Sequence, residues 1–170
     1  PGADELLRPN LTLQALPSDD AVYRLVAADP ATRRGRMETG SSAVRDYTET
    51  DLMVSDIVLA HPDSIGDWLR GGAAFALALP REFARERPFT VYYELYNLAR
   101  DQPYNTRIVV ERTERGGVLN RLRGLFGSGG TVIDVRFDDV ASPDEDGVVA
   151  QTRRLASGLA GGSYRMVVTV

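Results

Sequence analysis

The chain has 170 residues, a formal net charge of −4 at pH 7 and no cysteine. The missing cysteines exclude disulfides, thiolate metal sites and a cysteine nucleophile, and the acidic balance argues against nucleic acid as a partner. No stretch approaches the roughly 20 consecutive apolar residues of a membrane span, so none is expected.

The first 50 residues predict a β segment. Ala21 to Ala28 is predicted to form a strand that ends at the turn signal Asp29-Pro30. A more polar strand is expected to return beside it over residues 32–44, and a shorter strand is expected earlier, over 11–16.

The next block predicts two strands separated by a loop. Residues 52–60 form an apolar run with a bulge expected near Ser55, and residues 74–79 form a shorter run closed by Pro80. Residues 61–72, which include the only Trp and the only His, are interpreted as a loop.

The clearest element is the stretch from Phe89 to Asn97, whose aromatic and β-branched residues alternate with period 2. Such alternation is typical of a half-buried strand. One face is expected to form the core, and the other carries hydroxyls and one carboxylate. The core row is Phe89, Val91, Tyr93 and Leu95, and the polar row is Thr90, Tyr92, Glu94 and Tyr96.

The remaining chain predicts four further strands and one short helix. Residues 104–112 run back from the clearest strand, and Val118 to Phe126 has apolar residues at helical spacing. Short strands with frequent turns predict an all-β, antiparallel, immunoglobulin-like β-sandwich with one inserted helix. The inward row of 104–112 is expected to be Thr106, Ile108 and Val110, and the other strands are expected over 131–137, 148–155 and 163–170.

Two segments repeat a Tyr-Arg pattern, Val22 to Val26 and Ser163 to Val167. The second follows Leu159-Ala-Gly-Gly, an arrangement that resembles the tyrosine corner of immunoglobulin-like and fibronectin type III sandwiches. In that corner, a Tyr hydroxyl ties the loop between the sheets to the strand that follows. Two unrelated strands could also share Tyr-Arg by chance, since both residues are common in strands.

A structural repeat would divide the chain. A further strand normally follows the tyrosine strand in such sandwiches, whereas this sequence ends at Val170. Residues 1–50 are then the tail of a preceding sandwich or a hairpin that fills the vacant edge, and residues 51–170 are an immunoglobulin-like β-sandwich. An unfilled edge would pair with a protein partner or with another copy of the chain.

A family resemblance rests on the strand patterns of residues 52–60, 89–98 and 162–170 and on the insert 119–126. With these patterns, the 51–170 block resembles the β-sandwich region of bacterial GWxTD-domain proteins, although the Gly-Trp-x-Thr-Asp motif itself is absent. The resemblance implies an envelope-associated accessory module in the periplasm or at the cell surface, and it transfers no active-site residue. All 20 basic residues are arginine, which agrees with a GC-rich bacterial genome.

Candidate binding residues lie on the polar row of the clearest strand. A hairpin across residues 97–103 would bring Arg107 beside Glu94, between Tyr92 and Tyr96. An exposed face of this kind suits a glycan or a peptide, because aromatic rings offer stacking surface with polar tips. The alternative is a cross-strand salt bridge with a structural role.

Other chemistry has weaker sequence support. His61 lies in a loop and is the only His, so neither a catalytic triad nor a His-rich metal site is expected. The acidic turn over 138–146 could bind calcium, but it lacks EF-hand spacing, and acidic turn residues commonly act as caps. No cofactor is expected, since Gly-x-Gly-x-x-Gly and Walker-type loops are absent.

These observations favour a non-enzymatic structural or interaction module that acts through sheet-edge pairing or self-assembly. The alternative is a carbohydrate- or peptide-binding sandwich, and a carboxylate hydrolase is a third hypothesis. The candidate binding residues are Tyr92, Glu94, Tyr96 and Arg107.

Overall fold

The computed structural model divides the chain into two compact units, residues 1–50 and 51–170. The predicted helix over 118–126 and most of the strand predicted over 11–16 lie outside the residues that the structure describes. The described residues are 15–48, 50–62, 66, 68–78, 83, 87–113, 131–156 and 158–170.

The described residues form β-strands connected by turns and irregular segments. The strands are β1 Ser18–Asp29, β2 Arg34–Val44, β3 Met53–Val54, β4 Val58–His61, β5 Trp68–Arg70, β6 Ala73–Leu77, β7 Phe89–Tyr96, β8 Pro103–Thr113, β9 Thr131–Val140, β10 Val148–Leu155 and β11 Ser163–Thr169.

The first unit contains an antiparallel hairpin of β1 and β2, so both predicted strands are confirmed. The register is continuous from the pair Ala21–Ser42 to the turn at Asp29. The Asp29 carboxylate stabilises the turn, because it accepts hydrogen bonds from the backbone N–H of Ala31 (2.9 Å) and the hydroxyl of Thr32 (2.6 Å).

The second unit contains two antiparallel sheets. The large sheet has the order β10-β7-β4-β6-β5, with β3 also paired to β7, and the small sheet has the order β11-β8-β9. Side chains from both sheets share one core, so the described part of this unit has a β-sandwich-like architecture. The prediction of an all-β, antiparallel protein is confirmed at this level.

The odd-numbered face of β7 lies at the centre of this core. All four residues predicted for the core row are buried, and so is the predicted inward row of β8. Burying one large apolar side chain contributes about 1.5–3 kcal/mol, so β7 anchors the sandwich. The small sheet contributes Ile108, together with the partly buried Ile133, Val135, Phe137, Met166 and Val168.

Two predictions about pairing are wrong. β7 and β8 do not form a hairpin: β7 pairs with β3, β4 and β10, whereas β8 pairs with β9 and β11. The connection between them has positive φ at Asn97 and Asp101 and passes from the large sheet to the small one. Residues 61–72 are also not all loop, because Trp68–Arg70 form β5 and pair with β6.

Candidate functional site

The polar row of β7 lies beneath a hairpin formed by β5 and β6. This hairpin turns at Gly71 and Gly72, whose φ values of 54° and 75° favour glycine. A Cβ on Gly71 would lie 2.8 Å from the Ala150 Cβ and 2.9 Å from the Tyr92 hydroxyl. The turn therefore lies directly against β10 and β7, on the outer face of the large sheet.

Aromatic packing fixes the hairpin on the sheet. The Trp68 ring meets Tyr92 edge-on at a centroid distance of 5.4 Å, and the Phe75 ring lies 5.0 Å from Tyr92. With Ala60, these side chains form a second apolar cluster, separate from the main core. Gly66 permits the same close packing, because a Cβ there would overlap the carbonyl group of Phe75.

Glu94 accepts hydrogen bonds at both carboxylate oxygens. Arg70 binds it through two nitrogens, with Nε 2.7 Å from Oε1 and Nη2 2.9 Å from Oε2. The Tyr92 hydroxyl donates to Oε1 at 2.6 Å, and the Tyr96 hydroxyl donates to Oε2 at 2.5 Å. The Glu94 backbone N–H also donates to the Ser55 hydroxyl at 2.9 Å. We call Arg70, Tyr92, Glu94 and Tyr96 the Glu94 cluster.

The Glu94 cluster is mostly buried. Tyr92 and Glu94 are only 2% and 5% exposed, Tyr96 is half-buried, and the Arg70 side chain is 53% exposed. The predicted exposed Tyr/Glu face is therefore wrong, because β5 and β6 cover it. A buried carboxylate requires a cation and hydrogen-bond donors, and this one has both.

The cluster holds its charges over a wide pH range. Burial alone would raise the pKa of Glu94, but hydrogen bonds from Arg70 and the two phenols outweigh it and lower that pKa below its usual value. Burial and the adjacent carboxylate raise the pKa of Tyr96 to about 12, and they also raise the pKa of Tyr92. Glu94 and Arg70 therefore stay charged and the phenols stay neutral near pH 7, which suits a structural contact better than proton transfer.

Arg107 lies on the outer face of the small sheet. Its Nε and Nη2 bind the two carboxylate oxygens of Asp134 at 2.8 and 2.6 Å. The prediction that Arg107 approaches Glu94 is wrong, because β7 and β8 belong to different sheets.

Arg70 holds the position that the sequence assigned to Arg107. Arg70 is not identified from the sequence as a partner of Glu94, because residues 61–72 are interpreted there as a loop. A Gly-Gly pair between two short strand-like segments is a recognised hairpin signal. Gly71-Gly72 has such segments on both sides, so the signal could have placed Arg70 on a strand.

The other candidate residues have structural contacts. In the acidic turn, Asp144 Oδ1 accepts hydrogen bonds from the N–H groups of Asp146 (3.0 Å) and Val148 (2.9 Å), as a turn cap does. His61 ends β4, with its ring 5.6 Å from that of Phe83. Among the residues that the structure describes, no group of three or more His, Cys, Asp or Glu is arranged to hold a metal ion.

The outer edge of β11 is a second candidate site. β11 pairs with β8 in unbroken register, from Ser163 opposite Thr113 to Thr169 opposite Arg107. Within the described ranges, no strand pairs with the other side of β11. In the described part of the chain, the backbone donors and acceptors on that side of β11 therefore have no strand partner, which is the feature that strand addition uses.

Tyr164, near the start of β11, makes the hydrogen bond that its sequence context predicts. Its hydroxyl donates to the carbonyl oxygen of Ala160 at 2.7 Å. The bond ties the connection from β10 in the large sheet to β11 in the small sheet. The prediction that this hydroxyl binds the preceding loop is confirmed.

Comparison with known proteins gives no relative: no protein-family model, no curated protein and no solved structure matches this chain significantly. The described part of the chain contains no helix with the length and apolar character needed to cross a membrane.

Proposed function

We propose that this chain is a non-catalytic structural or interaction module that works by sheet-edge pairing at β11. The observation that carries the proposal is the open side of β11, away from β8. Backbone N–H and C=O groups along such an edge pair readily with a strand from another molecule. The partner is then a protein strand, including one from a second copy of the chain.

The two outer strands of the small sheet differ in their protection against added strands. β11 has an unbroken register and a single charged residue, Arg165, which binds Glu111 at 2.8 Å. β9 has a register shift opposite Val110 and Glu111, and it carries many charges. Bulges and charges oppose strand addition, so β11 is the more receptive edge. The charged residues of β9 are Asp134, Arg136, Asp138 and Asp139.

Strand order supports an immunoglobulin-like assignment for residues 51–170. In that fold, strands B and E share one sheet, strands C and F share the other, and a tyrosine corner precedes strand F. β7 and β10 are neighbours in the large sheet, and β8 and β11 are neighbours in the small sheet. With Tyr164 near the start of β11, bonded to the connection that precedes it, we assign β7, β8, β10 and β11 to strands B, C, E and F. The open side of β11 then corresponds to the place of strand G.

The proposal includes a bacterial envelope or cell-surface setting, supported by the resemblance of residues 51–170 to the sandwich region of GWxTD-domain proteins. A non-catalytic role is supported by the Glu94 cluster, because each carboxylate oxygen already has two donors. The same contacts leave Tyr92 and Glu94 little surface for a glycan or a peptide.

Hydrogen–deuterium exchange of the dilute protein tests whether the edge is open. Amides of β11 that point away from β8 are expected to exchange fast, whereas β8 amides, paired on both sides, exchange slowly. Raising the protein concentration or adding a partner should slow the fast β11 amides. Uniformly slow exchange along β11 in the dilute monomer would contradict the proposal, because the edge would already be filled.

Val167→Lys is a matched variant for the same test. Val167 is partly exposed on β11, and a lysine on an edge strand opposes strand addition. We expect association, measured by sedimentation, to weaken about tenfold, which corresponds to the loss of one or two good cross-strand contacts. Val140→Lys on β9 serves as the control, and an equal effect of both substitutions would exclude a special role for β11.

A further inference from the structure

We infer that the strand that fills the β11 edge is β2 from a second copy of this chain. This inference rests on the edge pairing proposed above and names its partner. Three features carry it: a repeated strand sequence, a hairpin whose second strand has one partner within the described residues, and the length of the linker between the two units.

The repeated sequence shows which strand fits beside β11. Tyr23 and Val26 of β1 correspond to Tyr164 and Val167 of β11. In β1 this segment already has β2 as its neighbour, with Tyr23 opposite Gly40 and Val26 opposite Met37. A Cβ on Gly40 would overlap the Tyr23 ring, so glycine at this point of β2 accommodates the tyrosine of β1.

The same register can be transferred to β11. Tyr164 then lies opposite Gly40, and Val167 lies opposite Met37. With β2 between β1 and β11, the side chains of Val26, Met37 and Val167 form one row across three strands. They are 67%, 61% and 39% exposed, and direct cross-strand contact between apolar side chains stabilises a sheet.

A third strand would stabilise the β1–β2 hairpin. Within the described residues, β2 pairs with β1 alone. An isolated two-stranded hairpin is marginally stable in water, and three or more strands with an apolar face are needed for independent stability. Pairing with β11 would produce a continuous sheet in the order β9-β8-β11-β2-β1.

The linker between the units argues for a second copy rather than the same chain. If β2 ran antiparallel to β11 in the transferred register, Val44 would lie beyond Ser163, at the end of the small sheet where β8 finishes. Met53 pairs with Tyr96, at the opposite end, where β8 begins. The two ends are separated by the length of β8, about 33 Å.

The linker is too short to cover that distance comfortably. From Val44 to Met53 the chain reaches at most about 32 Å when fully extended. It is also not fully extended, because Asp46 Oδ1 accepts hydrogen bonds from the N–H (2.9 Å) and the hydroxyl (2.6 Å) of Thr48. A β2 strand supplied by another copy has no such constraint.

Pairing of this kind is heterologous, because β11 of one copy binds β2 of the next. The end copies of such an assembly keep one unpaired β11 and one unpaired β2, so association is head to tail. It forms a closed ring only if the rotation between successive copies brings the two ends together. The expected assemblies are therefore short chains that lengthen with concentration.

Cysteine cross-linking tests this arrangement, because the full chain has no native cysteine. Met37→Cys and Val167→Cys, made in separate chains and mixed under mild oxidation, should form a disulfide-linked heterodimer. Strand pairing holds the two thiols together, so we expect a yield at least about tenfold above a control mixture of Met37→Cys with Val140→Cys. All three positions are exposed, so the substitutions leave both cores intact.

The chain that carries both Met37→Cys and Val167→Cys distinguishes the outcomes. A ladder of disulfide-linked multimers supports the head-to-tail arrangement. An internal disulfide in a monomer would overturn it in favour of pairing within one chain. In the two-chain mixture, a heterodimer yield equal to that of the control mixture would overturn the choice of β2. If the heterodimer yield is low while the β11 amides that point away from β8 still exchange fast, the inference about β2 fails and the proposed edge pairing at β11 is unaffected. If those amides are slow in the dilute monomer, the proposed function fails as well.

Discussion

Two Arg–carboxylate pairs in this molecule have nearly the same geometry and different surroundings. Arg70 and Arg107 each bind both oxygens of a carboxylate through Nε and Nη2, at 2.6–2.9 Å. The Glu94 side chain is 7% exposed under the β5–β6 hairpin, whereas Asp134 on the small sheet is 39% exposed. Since exposed ion pairs contribute little and a broken buried pair is costly, burial rather than hydrogen-bond geometry should decide their contributions to stability.

The largest effect is expected for Glu94→Ala. This change leaves the Tyr92 and Tyr96 hydroxyls and the Arg70 guanidinium without their acceptor beneath the hairpin. We expect a loss of about 3 kcal/mol in the free energy of unfolding, at the low end for a broken buried pair because Arg70 is half exposed. Urea denaturation followed by circular dichroism measures it. A loss no larger than that of Asp134→Ala would contradict the comparison.

A smaller effect is expected for Arg70→Ala. Glu94 loses its cation but keeps two phenolic donors, so we expect a loss of about 1.5 kcal/mol. The single Trp, Trp68, lies in β5 of the same hairpin, so a red shift of its fluorescence would show that the hairpin has loosened. Arg165→Ala on the small sheet is the control and should leave the emission unchanged.

Acid should reduce the contribution of the buried pair to the free energy of unfolding. The pKa of Glu94 is lowered in the folded state, so the unfolded chain takes up a proton first as the pH falls. The stabilisation by Glu94 is therefore present above the ordinary Glu pKa of about 4.3 and is lost as the pH drops through the folded value. Urea midpoints measured from pH 6 to pH 3 should fall less steeply for Glu94→Gln than for the unmodified chain. Parallel curves would show that Glu94 does not titrate in this way.

The smallest effect is expected for Asp134→Ala. Both members of this pair are well exposed, and such pairs are screened by salt. We expect a change in the urea midpoint close to the measurement error at 0.15 M salt, with any difference at low salt disappearing as salt is added. A loss that persists in 1 M salt would show that Asp134 does more than pair with Arg107.

The sequence predicted the two faces of β7 but not what covers them. Period-2 alternation assigns Tyr93 and Glu94 to opposite faces, and both assignments are correct. It cannot show whether the polar face meets solvent, because the answer depends on β5, a three-residue strand placed there by tertiary contacts. A burial prediction for Glu94 therefore requires knowledge of Arg70 and Trp68.

The pairing of β7 failed for a different reason. Consecutive antiparallel strands are often neighbours, so a hairpin that placed Arg107 beside Glu94 was a reasonable expectation. In a sandwich, however, a connection of similar length can pass to the other sheet, and the turn residues do not reveal which path is taken. Tyr164 was predictable because its contact is local: donor and acceptor are four residues apart.

The central position of β7 also has a consequence for synthesis of the chain. One side of β7 pairs with β3 and β4, which precede it in the chain. The other side pairs with β10, which is complete only when Leu155 has been synthesised. At 5–20 residues per second, translation from Tyr96 to Leu155 takes roughly 3–12 s. For that time one side of β7, the most buried of the described strands, has no strand beside it, so the speed of translation sets how long this strand is exposed to aggregation in the cell.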